Sequence, residues 1–322
     1  MTPRRTQKDP KEELKKFLKS EEFDKYAKIL ERIDITEIED PFAEDNKPKL
    51  KTNTVLDDLL GYGKGISAGK LIELYGGYGS GKTQTVFTLV VEASQEGTVL
   101  LVDTERTFSK DRLLQICTAR GLDTQKLKDN LILWRPKDYM EQLAMIVNRL
   151  PSAYDLEQRG KPPIKLVAVD SLVCLVDDSR DFRGRQNLPA RAGVIRDMLR
   201  ALRDFATEND CAVVFTNQVS SVPDVTKFTK AYQKEQGVGG NVVRHKPDVI
   251  LYYRRTTDPY RIVRLMDSSE LPVAERVFQI DEKGVSDAGT YKGWMKKFEA
   301  DEESTVDDVE GEVIDEEAEE DV

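Results

Sequence analysis

The chain has 322 residues, of which 39% are apolar and 34% charged, with a formal net charge of −10. That length buries a large core and suits one big domain or two ordinary ones. No apolar run approaches the ~18 residues a membrane helix needs, and MTPRRTQKDPKEELKK lacks the apolar centre of a secretory signal, so a cytoplasmic protein without membrane contact is expected. The cysteines Cys117, Cys174 and Cys211 lie far apart in apolar segments with no C-x-x-C pair, which predicts reduced core thiols rather than a disulfide framework or a zinc site.

The charge is unevenly placed. From Glu299 to Val322 there are 14 acidic residues and no basic ones, which leaves 45 acids against 49 bases over residues 1–298. A mildly basic body thus carries an acidic tail with too few apolar residues to offset its ordering entropy, and residues 297–322 are expected to be disordered.

At the other end, residues 1–45 read as a short charged helical segment and linker. Leu14, Phe17 and Leu18 share one helical face, Tyr26, Ala27, Leu30 and Ile33 continue the spacing, and EDPFAEDNKPKLK reads as the linker. Residues 46–296 form the core. There KLIELY, TVLLVD, NLILW, IKLVAVD and CAVVFTN are short apolar runs separated by amphipathic stretches. This alternation predicts an α/β fold with a mostly parallel central sheet and helices on both faces. After residue 247, VILYYRR, RIVRLM and RVFQI are joined by short polar connections and predict antiparallel strands extending that sheet.

GGYGSGKT, residues 76–83, follows KLIELY and matches G-x-x-x-x-G-K-[ST]. Glycines let the backbone wrap a phosphate with its N–H groups inward, and the helix starting near Lys82 turns its positive end to the same anion. The cradle is Gly76, Gly77, Tyr78, Gly79, Ser80, Gly81, Lys82, Thr83 and Gln84, with Lys82 reaching the β/γ-phosphates of ATP and Thr83 ligating Mg²⁺. Asp170, ending IKLVAVD, supplies the acid for the metal side. Hydrolysis needs a group to orient or deprotonate water. By spacing, Glu105 in LLVDTERTF and Asp103 two residues earlier are equal candidates, on a strand expected close to the P-loop strand.

In chain order, GSGKTQ, DTE-x-TF, VDS, TNQV and GGN-x-x-x-H resemble the ATPase core of the RadA-type strand-exchange recombinases, archaeal and eukaryotic, within the RecA superfamily. The similarity runs from about Leu50 to about Asp287. It implies a RecA-like fold, with Glu105 rather than Asp103 activating water and Arg112 stacking on adenine. It further implies that Gln218 senses the γ-phosphate and links it to DNA, and that Asp267 and Pro272 cap ATP across a subunit boundary. His245, the single histidine, would reach the γ-phosphate held by a neighbouring subunit.

Two basic stretches occupy the places of the family's DNA loops. In SRDFRGRQNLPAR, Arg180, Arg183, Arg185 and Arg191 offer phosphate-binding forks, with the Phe182 ring available to stack or wedge between bases. It keeps Arg180, Gly184 and Arg185 of the pattern R-x-E-Y-x-G-R-G but is one residue shorter between the first two. The second stretch, SSVPDVTKFTKAYQKEQGVGG, carries Lys227, Lys230 and Lys234 around Phe228. Arg196, Arg200 and Arg203 follow on one helix face and read as solvated.

Three features depart from the family. Residues 1–45 lack a helix-hairpin-helix signature; the linker has Ala43 directly after Phe42 instead of F-x-x-A; and Gly77 stands where an acid is common. The expected protein is a DNA-dependent ATPase acting on single-stranded and duplex DNA, nucleoid-associated if prokaryotic, and self-associating as a filament or ring. The alternative is an accessory paralogue whose partner is another recombinase, and a hexameric helicase is a third reading. The acidic tail serves either to shield the basic loops or only to solubilise.

Overall fold

A computed structural model describes residues 47–61, 63–150, 160–221 and 235–288. The expected N-terminal helices, Phe42 and Ala43, the acidic tail, and Lys227, Phe228, Lys230 and Lys234 lie outside the described residues.

Nine strands make the central sheet: β3 (Leu71–Gly76), β4 (Thr98–Asp103), β5 (Leu131–Trp134), β6 (Ile164–Asp170), β7 (Ala212–Asn217), β10 (Val249–Arg255), β11 (Tyr260–Ser268), β12 (Glu275–Asp281) and β13 (Gly284–Asp287). Their order across the sheet is β13-β12-β11-β10-β3-β7-β6-β4-β5. From β10 to β5 every neighbour is parallel; from β10 to β13 every neighbour is antiparallel. The run VILYYRR is therefore the junction, parallel to β3 on one side and antiparallel to β11 on the other. Outside this sheet, β1 (Lys49–Leu50) pairs with β2 (Ile66–Ser67), and β8 (Val219–Ser221) pairs with β9 (Glu235–Gly237).

The apolar runs are continuous because both faces of the sheet are covered. Successive side chains alternate between faces. Ile72, Leu74, Val99, Leu101, Leu166, Ala168 and Val214 pack in one core with α1 (Val55–Gly61), α2 (Lys82–Ala93) and α3 (Lys110–Ala119). Leu71, Leu100, Val102, Val167, Val169, Val213 and Phe215 pack in the other, against α7 (Leu188–Glu208). Between them in sequence lie α4 (Thr124–Asn130), α5 (Tyr139–Ala144) and α6 (Cys174–Asp178); α8 (Gly240–Arg244) follows β9.

Helix α7 shows why these segments are helical. Pro189 occupies its first turn, where the missing N–H costs nothing. Ile195, Met198, Leu199, Leu202, Phe205 and Ala206 recur at three- and four-residue spacing and are all buried. Cutting Leu199 to alanine there costs about 2–5 kcal/mol.

Two expectations change. Strand β4 is not beside the P-loop strand, since β7 and β6 stand between β3 and β4. Nor is Arg203 a solvated charge: it donates to the Lys246 carbonyl and pairs with Asp248 at 3.1 Å. Arg200 keeps only an exposed contact with Asp204 at 3.7 Å, and Arg196 is exposed. Cys117 and Cys211 are buried free thiols, whereas Cys174 is only half-buried. Among the described residues no helix is long and apolar enough to cross a membrane.

Candidate nucleotide site and nucleic-acid interface

The parallel strands end together. Tyr75 pairs in register with Asn217 and Asp103 with Asp170, so the segments after β3, β4, β6 and β7 converge at one edge of the sheet. Open α/β sheets bind ligands at that edge. The cavity there, about 730 Å³, is lined by residues 76–84 together with Glu105, Thr107, Arg112, Asp170 and Gln218.

The turn after β3 requires its glycines. An added Cβ at Gly76 would sit 2.1 Å from the Tyr253 carbonyl oxygen. At Gly81, where φ is +104°, it would stand 3.0 Å from the Phe278 ring. Gly77 meets nothing within 4 Å, so the missing acid alters no packing. From this turn α2 begins, and Lys82, Thr83 and Gln84 of its first turn, where backbone N–H groups lack intrahelical partners, line the cavity. Lys82 Nζ donates to the carbonyls of Gly76 (2.7 Å) and Gly77 (3.0 Å), arching the side chain back over the loop. Burial lowers its pKa, while Asp170 and Glu105 pull the other way. The Ser80 hydroxyl is buried with no protein partner among the described residues.

On the metal side, Asp170 is 3% exposed. It accepts hydrogen bonds from Thr216 and Thr83, and Thr107 Oγ1 approaches at 3.5 Å. Burial raises its pKa; the Thr216 bond opposes this, Glu105 adds to it, and Thr83 and Lys82 oppose it again. A buried carboxylate beside a threonine hydroxyl is the oxygen donor set that Mg²⁺ prefers. The orphaned Ser80 hydroxyl, the lysine and the glycine cradle together fit a triphosphate.

The two acids of DTERTF have different surroundings. Asp103 is 2% exposed and fully engaged. It accepts from Thr107 N (3.0 Å), Phe108 N (3.3 Å) and Arg135 Nε (3.0 Å), so it builds the turn. Glu105 instead projects into the cavity, where Gln218 Nε2 donates to its Oε1 at 3.3 Å. Although β4 lies two strands further from β3 than expected, this turn carries Glu105 back to the P-loop. At the far wall Arg112 donates to Gln84 Oε1 (2.8 Å) and to the Asp281 carbonyl (2.6 Å). Burial lowers its pKa and Asp281 counters this.

A family model described as Rad51 matches residues 49–288. This chain belongs to the Rad51 family. It is 36% identical over 239 residues to a protein named DNA repair and recombination protein RadA from Aeropyrum pernix, covering 72% of this chain and 70% of that one. It is 37% identical over 240 residues to a DNA repair protein RAD51 from Mycosarcoma maydis, covering 72% and 67%. Against a RadA from Cenarchaeum symbiosum the identity is 34% over 243 residues; the match covers 72% of this chain but spans little over half of that protein, 56%. The nine-stranded sheet with its antiparallel C-terminal strands is accordingly a RecA-like core.

Not every residue assigned by the family resemblance meets in this cleft. His245 is exposed at the end of α8, and Asp267 and Pro272 are exposed at and beyond the end of β11. None of the three lines the cavity of its own chain. Of the first basic stretch, Arg180 and Arg185 are exposed on two single-turn 3-10 segments, and Arg183 is exposed between them beside Gly184, where φ is +89°. Arg191 is instead ion-paired with Asp177 on α6. The Phe182 ring is not free either, since it packs edge-on against Tyr139 at 4.8 Å. Tyr139 also donates to Asp181 at 2.8 Å.

Four contributors went unassigned in the sequence. Thr107 and Thr216 are letters of DTE-x-TF and TNQV, but nothing in the sequence places them beside Asp170. Arg261, whose Nε donates to the Gly79 carbonyl at 3.1 Å, lies 182 positions from it. Glu73 could have been found: it is the sole charged residue of the strand LIELYG.

Proposed function

We propose that this chain is an ATP-dependent DNA recombinase that assembles on single-stranded DNA and promotes homologous pairing and strand exchange in recombination and repair. The observation that carries the reading is the Gln218–Glu105 contact inside the P-loop cavity, because Gln218 also leads into β8 and the second basic stretch. One side chain touches the water-activating acid and stands at the entrance of a basic loop. The names of the relatives, RadA and RAD51, point the same way.

In this reading residues 76–84 hold the phosphates of ATP, and Lys82 turns from the Gly76 and Gly77 carbonyls toward them. Thr83 and Asp170 hold Mg²⁺, which when bound supplies charge neutralisation at the phosphates. Glu105 orients and deprotonates water, and Gln218 reports the nucleotide state to the second loop. Arg112 flanks the base. Asp267, Pro272 and His245 act on the nucleotide of a neighbouring copy in a filament or ring, which suits their exposure away from their own cleft. Arg180, Arg183 and Arg185 contact phosphates of the DNA, as do Lys227, Lys230 and Lys234 beside Phe228. Arg191 serves there only after releasing Asp177.

The test is pairing of homologous single-stranded and duplex DNA by the full chain with ATP and Mg²⁺, with electron microscopy of the same mixtures. Joint molecules and nucleoprotein filaments are expected, and both are lost with Lys82→Ala. Absence of both from the wild-type chain would refute strand exchange.

A further inference from the structure

Glu73 sits in the middle of β3 and is 2% exposed. A carboxyl placed there is costly unless partnered. Its Oε1 accepts from Asn217 Nδ2 at 2.7 Å. The same nitrogen donates to the Val238 carbonyl at 2.8 Å. Val238 N in turn donates to the Gln218 carbonyl at 3.0 Å. Gln218 then reaches Glu105. Five residues from four segments thus form one unbroken polar path from the P-loop strand to the water-activating acid.

Gly237, the last residue of β9, lies flat against this path. A Cβ there would stand 2.9 Å from both Asn217 Nδ2 and Glu73 Oε1. A second tie holds the same ribbon: the Tyr252 hydroxyl donates to Glu235 at 2.9 Å, and Tyr252 packs on Tyr75 with ring centroids 5.2 Å apart. The β8–β9 ribbon is therefore fastened to the sheet through side chains, at the point where the second basic stretch leaves it.

We propose that Glu73 is a positioning residue: through Asn217 and Val238 it fixes the root of the second loop and so holds Gln218 against Glu105. This rests on the reading of Gln218 and the second loop given above. Burial drives the Glu73 pKa from 4.5 to about 7, opposed by the Asn217 hydrogen bond. Its charge state therefore changes near neutrality. Charged groups also acting on this corner, through Tyr75, are Arg244 of α8, Glu235 of β9 and Arg264 of β11.

The test uses the full chain with Glu73→Ala, Glu73→Gln and Gly237→Ala. Two readouts are taken: amide exchange at Val238, and kcat and KM for ATP with and without single-stranded DNA. Loss of one buried hydrogen bond corresponds to roughly tenfold in an equilibrium or a rate. Glu73→Ala is expected to speed Val238 exchange and to lower DNA-stimulated kcat about tenfold each, with KM for ATP within about twofold. Glu73→Gln keeps the acceptor, restores kcat, and removes the pH dependence of the stimulated rate around neutrality. Gly237→Ala, which retains both polar side chains, reproduces Glu73→Ala and carries the test if that variant does not fold. Unchanged Val238 exchange and kcat in the folded variants would overturn the proposal. A wild type indifferent to DNA, with faster Val238 exchange in the variants, would sink the recombinase reading and leave the fastening in place.

Discussion

The nucleotide cleft and the first basic stretch differ in how their charges are held. In the cleft, Lys82, Asp170 and Arg112 each have named partners, and Gly76 and Gly81 admit no side chain. In the stretch, Arg180, Arg183 and Arg185 stand exposed on or between short 3-10 turns, and only Arg191 is ion-paired. The lesson is one of division of labour. Chemistry on a phosphate needs preorganised groups, because reorganisation during reaction adds to the barrier. Gripping a polymer of many sequences, the role proposed for the stretch, needs charge without fixed geometry.

The contrast breaks most visibly at Glu105. Glu105→Gln removes the proposed general base without changing size and is expected to lower kcat for ATP by about 10²–10⁴-fold, with nucleotide affinity retained. Steady-state kinetics beside equilibrium binding of a fluorescent nucleotide check this; parallel losses in both would move Glu105 from catalysis to binding.

Preorganisation has a stability cost at Glu73. Its pKa is raised to about 7, so between pH 4.5 and 7 the folded chain keeps a proton that the unfolded chain releases. Stability from this group is therefore complete below pH 4.5 and falls as pH rises through 7. Glu73→Gln is expected to flatten that fall and to gain on the order of 3 kcal/mol at pH 8 relative to pH 4.5. Urea unfolding of both chains at the two pH values measures it, and equal slopes would contradict it.

On the other side of the comparison, Arg183→Ala with Arg185→Ala removes two of the proposed phosphate contacts. Single-stranded DNA affinity is expected to fall about tenfold, and the slope of log affinity against log salt to drop by between one and two. Nucleotide affinity should stay constant. An unaltered salt slope would place these arginines off the DNA path. The smallest effect belongs to Gly77→Glu. Its Cβ meets nothing within 4 Å, so nucleotide affinity should change less than about threefold.

The strands and the P-loop were legible in the sequence because each is a local pattern: an apolar run, a glycine spacing, a helix start. What stayed illegible depends on partners far away in the chain. Spacing could not separate Asp103 from Glu105, since the Arg135 contact that occupies Asp103 spans 32 positions. Phe182 looked free for bases, yet Tyr139, 43 positions earlier, holds its ring. Arg191 looked like its neighbours until Asp177 claimed it. The distance of β4 from β3 is a matter of strand order, which no single run encodes. The β8–β9 ribbon, three residues on each side, is too short to leave an alternation in the sequence.

The central claim is that the cleft and the DNA loops work through each other. Steady-state ATP turnover by the full chain with Mg²⁺, titrated with single-stranded DNA, tests it most directly. A saturable rise in kcat as DNA is added is the expected result, and turnover that stays flat while DNA binding saturates would contradict it.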